Sequence, residues 1–237
     1  INKMIEEAKT YDSNKMVMVE SFLDGPQLST ESLFQDYEQF TIGYADRNYE
    51  DTKIFFPNII ENGGIQPSLN LYKYKKDVEK IIQNAAEAFK LKTGVLKCDI
   101  VIHNGVPKII EIAARLSGGD FSETLIPRSS GYDFVGNALK LSMGHRIEFK
   151  KDIQYKKYVA NRYFFGQEGK IRSIQSDVDQ SKKWLLKLDF FKKPGDIVHS
   201  PKSHVDRLGV FLVHANNPKT LQKRIKNIYE SIEFIYE

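Results

Sequence analysis

Hydrophobic positions along this chain fall mostly into short alternating runs, with a few longer helical stripes between them. KMVMVESF, Lys15–Phe22, reads as an apolar strand, and Gln27–Phe34 and Glu38–Tyr44 as two further strands that are antiparallel neighbours. Asn48–Asn70 carries breakers at Pro57, Gly63-Gly64 and Pro67 and reads as irregular. The clearest helical stripe is Lys75–Leu91, where Val78, Ile81, Ile82, Ala85 and Phe89 recur at three- and four-residue spacing among Lys, Glu and Gln. Two apolar runs follow, CDIVI and KIIEI. The turn between them, His103-Asn104-Gly105-Val106-Pro107, is short enough to make the pair a hairpin. Tyr132–Met143 predicts a second helix, stopped at Gly144. From about Lys150 the texture turns to short strands: Tyr158–Phe165, Lys170–Ile174, Lys183–Asp189 and Val210–Ala215. A final helix places Leu221, Ile225, Ile228 and Ile232 on one face, with Pro218 near its start. Mixed, largely antiparallel strands with helices on one side predict an α+β fold.

Composition narrows the function classes. A chain of 237 residues, 41% hydrophobic, has room for one large domain or two modest ones. The net charge of +4 is spread thinly; Lys73–Lys76 and Lys192-Lys193 read as solvated faces, which weighs against a nucleic-acid stripe. The single cysteine, Cys98, lies inside an apolar run, so a disulfide framework is excluded and a reducing cytoplasm is the simplest home. No apolar stretch approaches the roughly 18–20 residues that span a bilayer, and none resembles a signal peptide. The chain opens on Ile1, in residues Asn2–Lys9 that read as a helix already under way, and this predicts a piece of a longer polypeptide.

The candidate chemistry lies in the hairpin. Asp99 and Glu111 sit inside its two apolar runs, where a carboxylate is costly to bury unless something cationic meets it. If both side chains point the same way, they form a hard-oxygen site of the kind Mg²⁺ takes, with water and phosphates completing its shell. The alternative is a pair of acids on an exposed sheet face. Cys98 reads as a small apolar strand residue, and the five histidines show no metal-ligand spacing.

Three blocks in order, VESFLDGP, CDIVI–EIAARLSGG and RLGVFLVHANNP with its helix, resemble the ATP-grasp ligases, from about Lys15 to the end. The likeness is to the carboxylate–amine type, amino-acid ligases and relatives of phosphoribosylamine–glycine ligase, and the twelve-residue step from Asp99 to Glu111 is similar to that between the family's metal-binding acids. The resemblance implies the C-terminal half of an ATP-grasp fold. Residues 1–150 would be a partial ATP-grasp domain with a hinge strand and a metal-binding hairpin, and residues 151–237 a strand-rich appendage.

The same resemblance implies roles for named residues. Glu20, Ser21, Phe22 and Leu23 would meet the adenine through backbone groups, although Glu20 alone also reads as a strand end facing water. Gln27 stands where many members carry a ribose-binding Glu, and an amide can still donate and accept there. Val101 and Ile110 would pack on the adenine face, and as apolar strand residues they fit a core equally. Asp99 and Glu111 would hold Mg²⁺ (or Mn²⁺) against the ATP phosphates. Many members add an Asn two residues past the second acid; here that position is Ala113, so one oxygen ligand is missing. Arg115 matches an arginine beside the transferred phosphoryl group, where a planar guanidinium suits an acyl-phosphate; the alternative is a surface salt bridge. Ser117-Gly118-Gly119 would line an acid-substrate pocket through backbone N–H groups, or serve only as a connector.

The implied reaction activates a carboxylate with ATP, so charge neutralisation and positioning outrank any covalent nucleophile. Its partners would be a small carboxylate and an amine, with no nucleic acid and no membrane, and with room for a homo-oligomer. The family's upstream lysines and Gly-rich flap have no counterpart before Lys15, and no G-x-x-x-x-G-K-[ST] loop occurs anywhere. The chain alone is therefore expected to bind nucleotide weakly and not to turn over. The rival reading is a non-catalytic interaction module that keeps the fold.

Overall fold

The computed structural model describes residues 2–70, 73–150 and 152–237. In chain order its strands are β1 (Gln27–Gln35), β2 (Glu38–Arg47), β3 (Gly64–Gln66), β4 (Gly94–His103), β5 (Val106–Ala113), β6 (Tyr158–Phe164), β7 (Gly169–Ser176), β8 (Leu185–Phe190), β9 (Ile197–Val198), β10 (Gly209–Ala215) and β11 (Ile232–Tyr236). Its helices are α1 (Asn2–Lys9), α2 (Thr52–Phe55), α3 (Lys75–Ala88), α4 (Ile126–Ser130), α5 (Phe134–Ser142) and α6 (Pro218–Glu230). Among the described residues, eight strands form one sheet in the order β5-β4-β1-β2-β3-β6-β10-β8, and β11-β7-β9 form a smaller one. Every described pairing is antiparallel. No described helix is long and apolar enough to cross a membrane.

The alternation of side chains across each strand divides the core. Leu33 and Val95 point to one face and pack with Ile126, Phe134 and Leu141 of α4 and α5. Their neighbours Phe34 and Leu96 point to the other, onto Val78, Ile82 and Ala86 of α3. Leu221, Ile225 and Ile228 of α6 cover Ala160, Phe211 and Val213. Helices thus cover both faces, not the one side expected, because β1, β2 and β4 are apolar on both.

Other elements also depart from the sequence reading. Lys15–Phe22 is not a strand: residues 15–24 are irregular and pair with no described strand, and Met16, Met18, Val19 and Phe22 are exposed. A strand needs a neighbour for its backbone groups, and the chain finds one from Pro26, whose carbonyl accepts from the Ile102 N–H, and along β1, which meets β4. β3 lies within the stretch read as irregular, three residues that bridge β2 to β6. Ile232 is not on the last helix; α6 ends at Glu230 and Ile232 opens β11, paired with β7. The boundary expected at 150/151 adjoins a residue outside the described set, and the large sheet crosses it where Ile65 pairs with Ala160.

Candidate active site

The hairpin carries the site. Its turn is Asn104-Gly105, both at positive φ (51° and 78°), the conformation that joins two twisted strands with a two-residue loop. His103 faces Val106, and regular pairing from there would set residue 110 opposite Asp99. The sequence places Ile110 in that position and the acid one residue later. A bulge between Asp99 and Ile100 absorbs the extra residue, so that Asp99 stands directly opposite Glu111. Opposite residues of an antiparallel pair share a face, here the one turned away from α3.

Both carboxylates line one cleft of about 370 Å³, together with Ser29, Arg47, Glu61, Lys97, Arg115 and the Ser117-Gly118-Gly119 loop. Asp99 is 5% exposed, while the Glu111 side chain is 55% exposed. Ser29 donates to Asp99 Oδ1 at 2.9 Å. Lys97 Nζ lies 2.5 Å from Asp99 Oδ2 and 3.4 Å from Glu111 Oε1, one cation reached by both acids. Arg47 ion-pairs with Asp99 Oδ2 and holds Glu61 Oε2 at 2.6 Å. Burial opposes its charge, but Glu61 and Asp99 outweigh that and keep the guanidinium firmly protonated.

The far wall comes from the C-terminal part of the chain. Asn161 accepts from the Gly64 N–H at 2.7 Å and donates to the Gly119 carbonyl at 2.9 Å, tying two glycine loops together. A Cβ at Gly63, φ +70°, would lie 2.2 Å from the Asn161 carbonyl oxygen, so only glycine fits that approach. Arg207 stacks 3.5 Å over the Tyr163 ring and donates to the Glu61 carbonyl at 2.6 Å. Burial, then the Arg207 charge, lowers the His204 pKa, and its Nε2 accepts from the Glu61 N–H at 3.3 Å. Beneath the Ser117 loop, Glu31 accepts from the Ser117 N–H and, at 2.8 Å, from Ser122 Oγ.

The structure therefore gathers Asp99, Glu111, Arg115 and Ser117–Gly119 in one place. It leaves Glu20, Ser21, Phe22 and Leu23 on the irregular segment, outside the cleft lining. Gln27 opens β1 opposite Val101, which is fully buried, and Ile110 is the half-exposed extra residue of the bulge. Arg115 is exposed, with Nη1 on the Leu116 carbonyl at 3.0 Å. Burial lifts the Cys98 thiol to about 12, which makes it inert at neutral pH. The sequence reading gives no role to Lys97, Asn161 or Arg207, and none to Arg47 beyond the segment it opens. Lys97, two residues before Asp99 and so on its strand face, was the one with a readable signal.

No cluster of three or more metal-capable His, Cys, Asp or Glu exists among the described residues. The two carboxylates that share the Lys97 ammonium nevertheless fit an ion that takes one or two protein carboxylates and the rest of its shell from water and phosphate.

A family model for the L-amino acid ligase C-terminal domain 2 matches residues 162–237. The L-amino acid ligase from Bacillus licheniformis has a similar structure, with a TM-score of 0.84 at 18% identity over 99% of this chain and 59% of that one. Phosphoribosylglycinamide synthetase from Anaerococcus prevotii gives 0.78 at 14% identity, over 98% of this chain and 58% of that one. The biotin carboxylase domain of the Hydrogenobacter thermophilus 2-oxoglutarate carboxylase, solved with Mg-ADP, ADP and bicarbonate, gives 0.71 at 14% identity, over 99% of this chain and 51% of that one. This chain thus spans between half and three fifths of these proteins' lengths. No curated protein sequence matches it.

Proposed function

From the ATP-grasp fold that this chain has, we propose that it is part of an ATP- and Mg²⁺-dependent ligase joining a carboxylate to an amine. The observation that carries the reading is the bulged hairpin, which sets two carboxylates face to face on one cation in a cleft whose lining includes three arginines and two glycine loops. The γ-phosphoryl of ATP passes to a substrate carboxylate oxygen, giving an acyl-phosphate and ADP. The amine then attacks the acyl carbon and phosphate leaves, giving an amide- or peptide-type bond.

Asp99 and Glu111 would hold Mg²⁺, which when bound neutralises charge on the phosphates. Arg115, exposed and, among the described residues, hydrogen-bonded to the Leu116 carbonyl, would turn its guanidinium toward the transferred group. The Gly118-Gly119 loop, fixed by Asn161 and Glu31, offers backbone N–H groups beside it. Glu20–Leu23 would contact the adenine, with Gln27 at the ribose and Val101 and Ile110 beside the base. That arrangement requires the irregular segment to gain a backbone partner. The chain by itself is accordingly expected to bind MgATP more weakly than micromolar, as calorimetry would show. A cytoplasmic enzyme with residues 151–237 as an appendage completes the reading.

The test is Mg²⁺-dependent ADP release by the complete enzyme over a panel of carboxylates and amines, beside Glu111→Gln. Release that needs both substrates and disappears in the variant supports the ligase. A second reading, a non-catalytic module, has Ala113 and the protein cations already on Asp99 in its favour. It predicts no ADP release with any pair.

A further inference from the structure

We propose that Lys97 is a resident cation of the acid pair, which a divalent metal displaces on entering, so that the cleft exchanges an internal cation for an external one. This rests on the metal reading of Asp99 and Glu111 above.

The position of the ammonium carries the argument. Nζ sits 2.5 Å from Asp99 Oδ2 and 3.4 Å from Glu111 Oε1, and the side chain is only 10% exposed. A magnesium ion on the same oxygens would lie roughly 2.0–2.1 Å from each. The ammonium and the metal would therefore overlap in space, and their charges repel. One must leave for the other to bind. Lys97 lies directly opposite Ala113 across the β4–β5 pair, so a side chain of one carbon leaves the lysine stem its room. The position that lacks an oxygen ligand thus faces the residue that supplies an internal cation.

Arg47 also holds Asp99, yet it is not the group that exchanges. Its other nitrogen is anchored on Glu61 at 2.6 Å and its guanidinium lies over the Tyr49 ring. Lys97 has no such second anchor: its ion pairs among the described residues are with the two acids themselves. Releasing it breaks those two ion pairs, and the cleft gives the freed ammonium space. In the nucleotide-free protein Lys97 keeps two carboxylates from facing each other uncompensated. In the loaded protein it becomes a free cation beside the incoming phosphates.

The experiment titrates Mn²⁺ alone into the 237-residue chain, followed by electron paramagnetic resonance of the free ion, for the wild type, Lys97→Met, Lys97→Arg and Glu111→Gln. Lys97→Met should bind Mn²⁺ about tenfold more tightly or better, because one positive charge a few ångströms away is gone. Lys97→Arg should show no such gain, and Glu111→Gln should lose binding. Thermal melts without metal establish that each variant is folded. A second measurement on the wild type covers the case in which Lys97→Met does not fold: acetylation of lysines read by mass spectrometry. Lys97 should be protected without Mn²⁺ and become reactive with it. Wild-type binding that Glu111→Gln abolishes, with Lys97→Met no tighter or Lys97 still protected, overturns the exchange and leaves the metal site standing. No Mn²⁺ binding in the wild type or in Lys97→Met removes the metal reading, and the exchange with it.

Discussion

Glu31 sits directly across β1–β4 from Lys97, with 0% of its surface exposed and one carboxyl oxygen, Oε2, without a hydrogen-bond partner among the described residues. Burial raises its pKa above the ordinary 4.5, and the bonds from Ser117 and Ser122 only partly offset this. A carboxyl whose pKa is raised by folding binds its proton better in the native state. Its contribution to stability is therefore full below about pH 4.5 and is lost as pH rises through the native pKa. Glu31→Gln keeps an oxygen for both donors and removes the titration. The melting temperature of the wild type relative to Glu31→Gln should fall as pH rises above 4.5, and a pH-independent difference would contradict the assignment. Single residues were the least legible part of this site in the sequence. Asp99 and Glu111 stood out because acids interrupt apolar runs. Arg47, Asn161 and Arg207 lie far from them along the chain and meet them only through sheet order, which no local pattern encodes.

Elements with strong periodicity are legible in the sequence: the β4–β5 hairpin and Leu221, Ile225 and Ile228 of α6 follow from residue spacing, and so does α3, although it buries Val78, Ile82 and Ala86 and ends at Ala88, leaving Phe89 exposed. Two of the departures share one physical cause. Lys15–Phe22 has strand composition and no strand neighbour, whereas β3 has three residues and two neighbours, β2 and β6. A partner decides whether such short runs pair. The bulge was hidden for a related reason. A twelve-residue step does not say whether two acids face each other until the turn length is known, and with a two-residue turn they meet only because Ile110 is looped out. The turn is therefore the element on which the acid pair depends. Gly105 has φ +78° and nothing within 4 Å of where a Cβ would stand, so Gly105→Ala adds backbone strain and no clash. The expected loss is about 1 kcal/mol, read by urea unfolding as a lower midpoint at unchanged m. A neutral outcome would mean that the turn does not hold the register.

At the scale of the whole molecule, the proposed division into 1–150 and 151–237 falls between segments that share one sheet and two hydrophobic clusters. β3 pairs with β2 on one side and with β6 on the other. Ile65 packs with Ala160, Phe211 and Val213 of the later strands, and Val159, Tyr163, Val210 and Leu212 pack with Leu33, Ile42 and Ala45 of the earlier ones. The cleft itself has Asp99 and Glu111 on one wall and Asn161 and Arg207 on the other. Separating the two parts would expose the β3 edge, open both clusters and leave the Gly64 N–H without the Asn161 side chain that now accepts from it. A structure built this way should unfold as one unit. The chain carries a single tryptophan, Trp184, which packs among the residues around α6 and reports chiefly on the later part. Far-ultraviolet circular dichroism reports on every strand and helix. Urea transitions followed by Trp184 fluorescence and by circular dichroism should therefore share one midpoint and one m value. Two separated midpoints would show that residues 151–237 melt as a unit of their own, and that the cleft is a joint between two bodies instead of a groove in one.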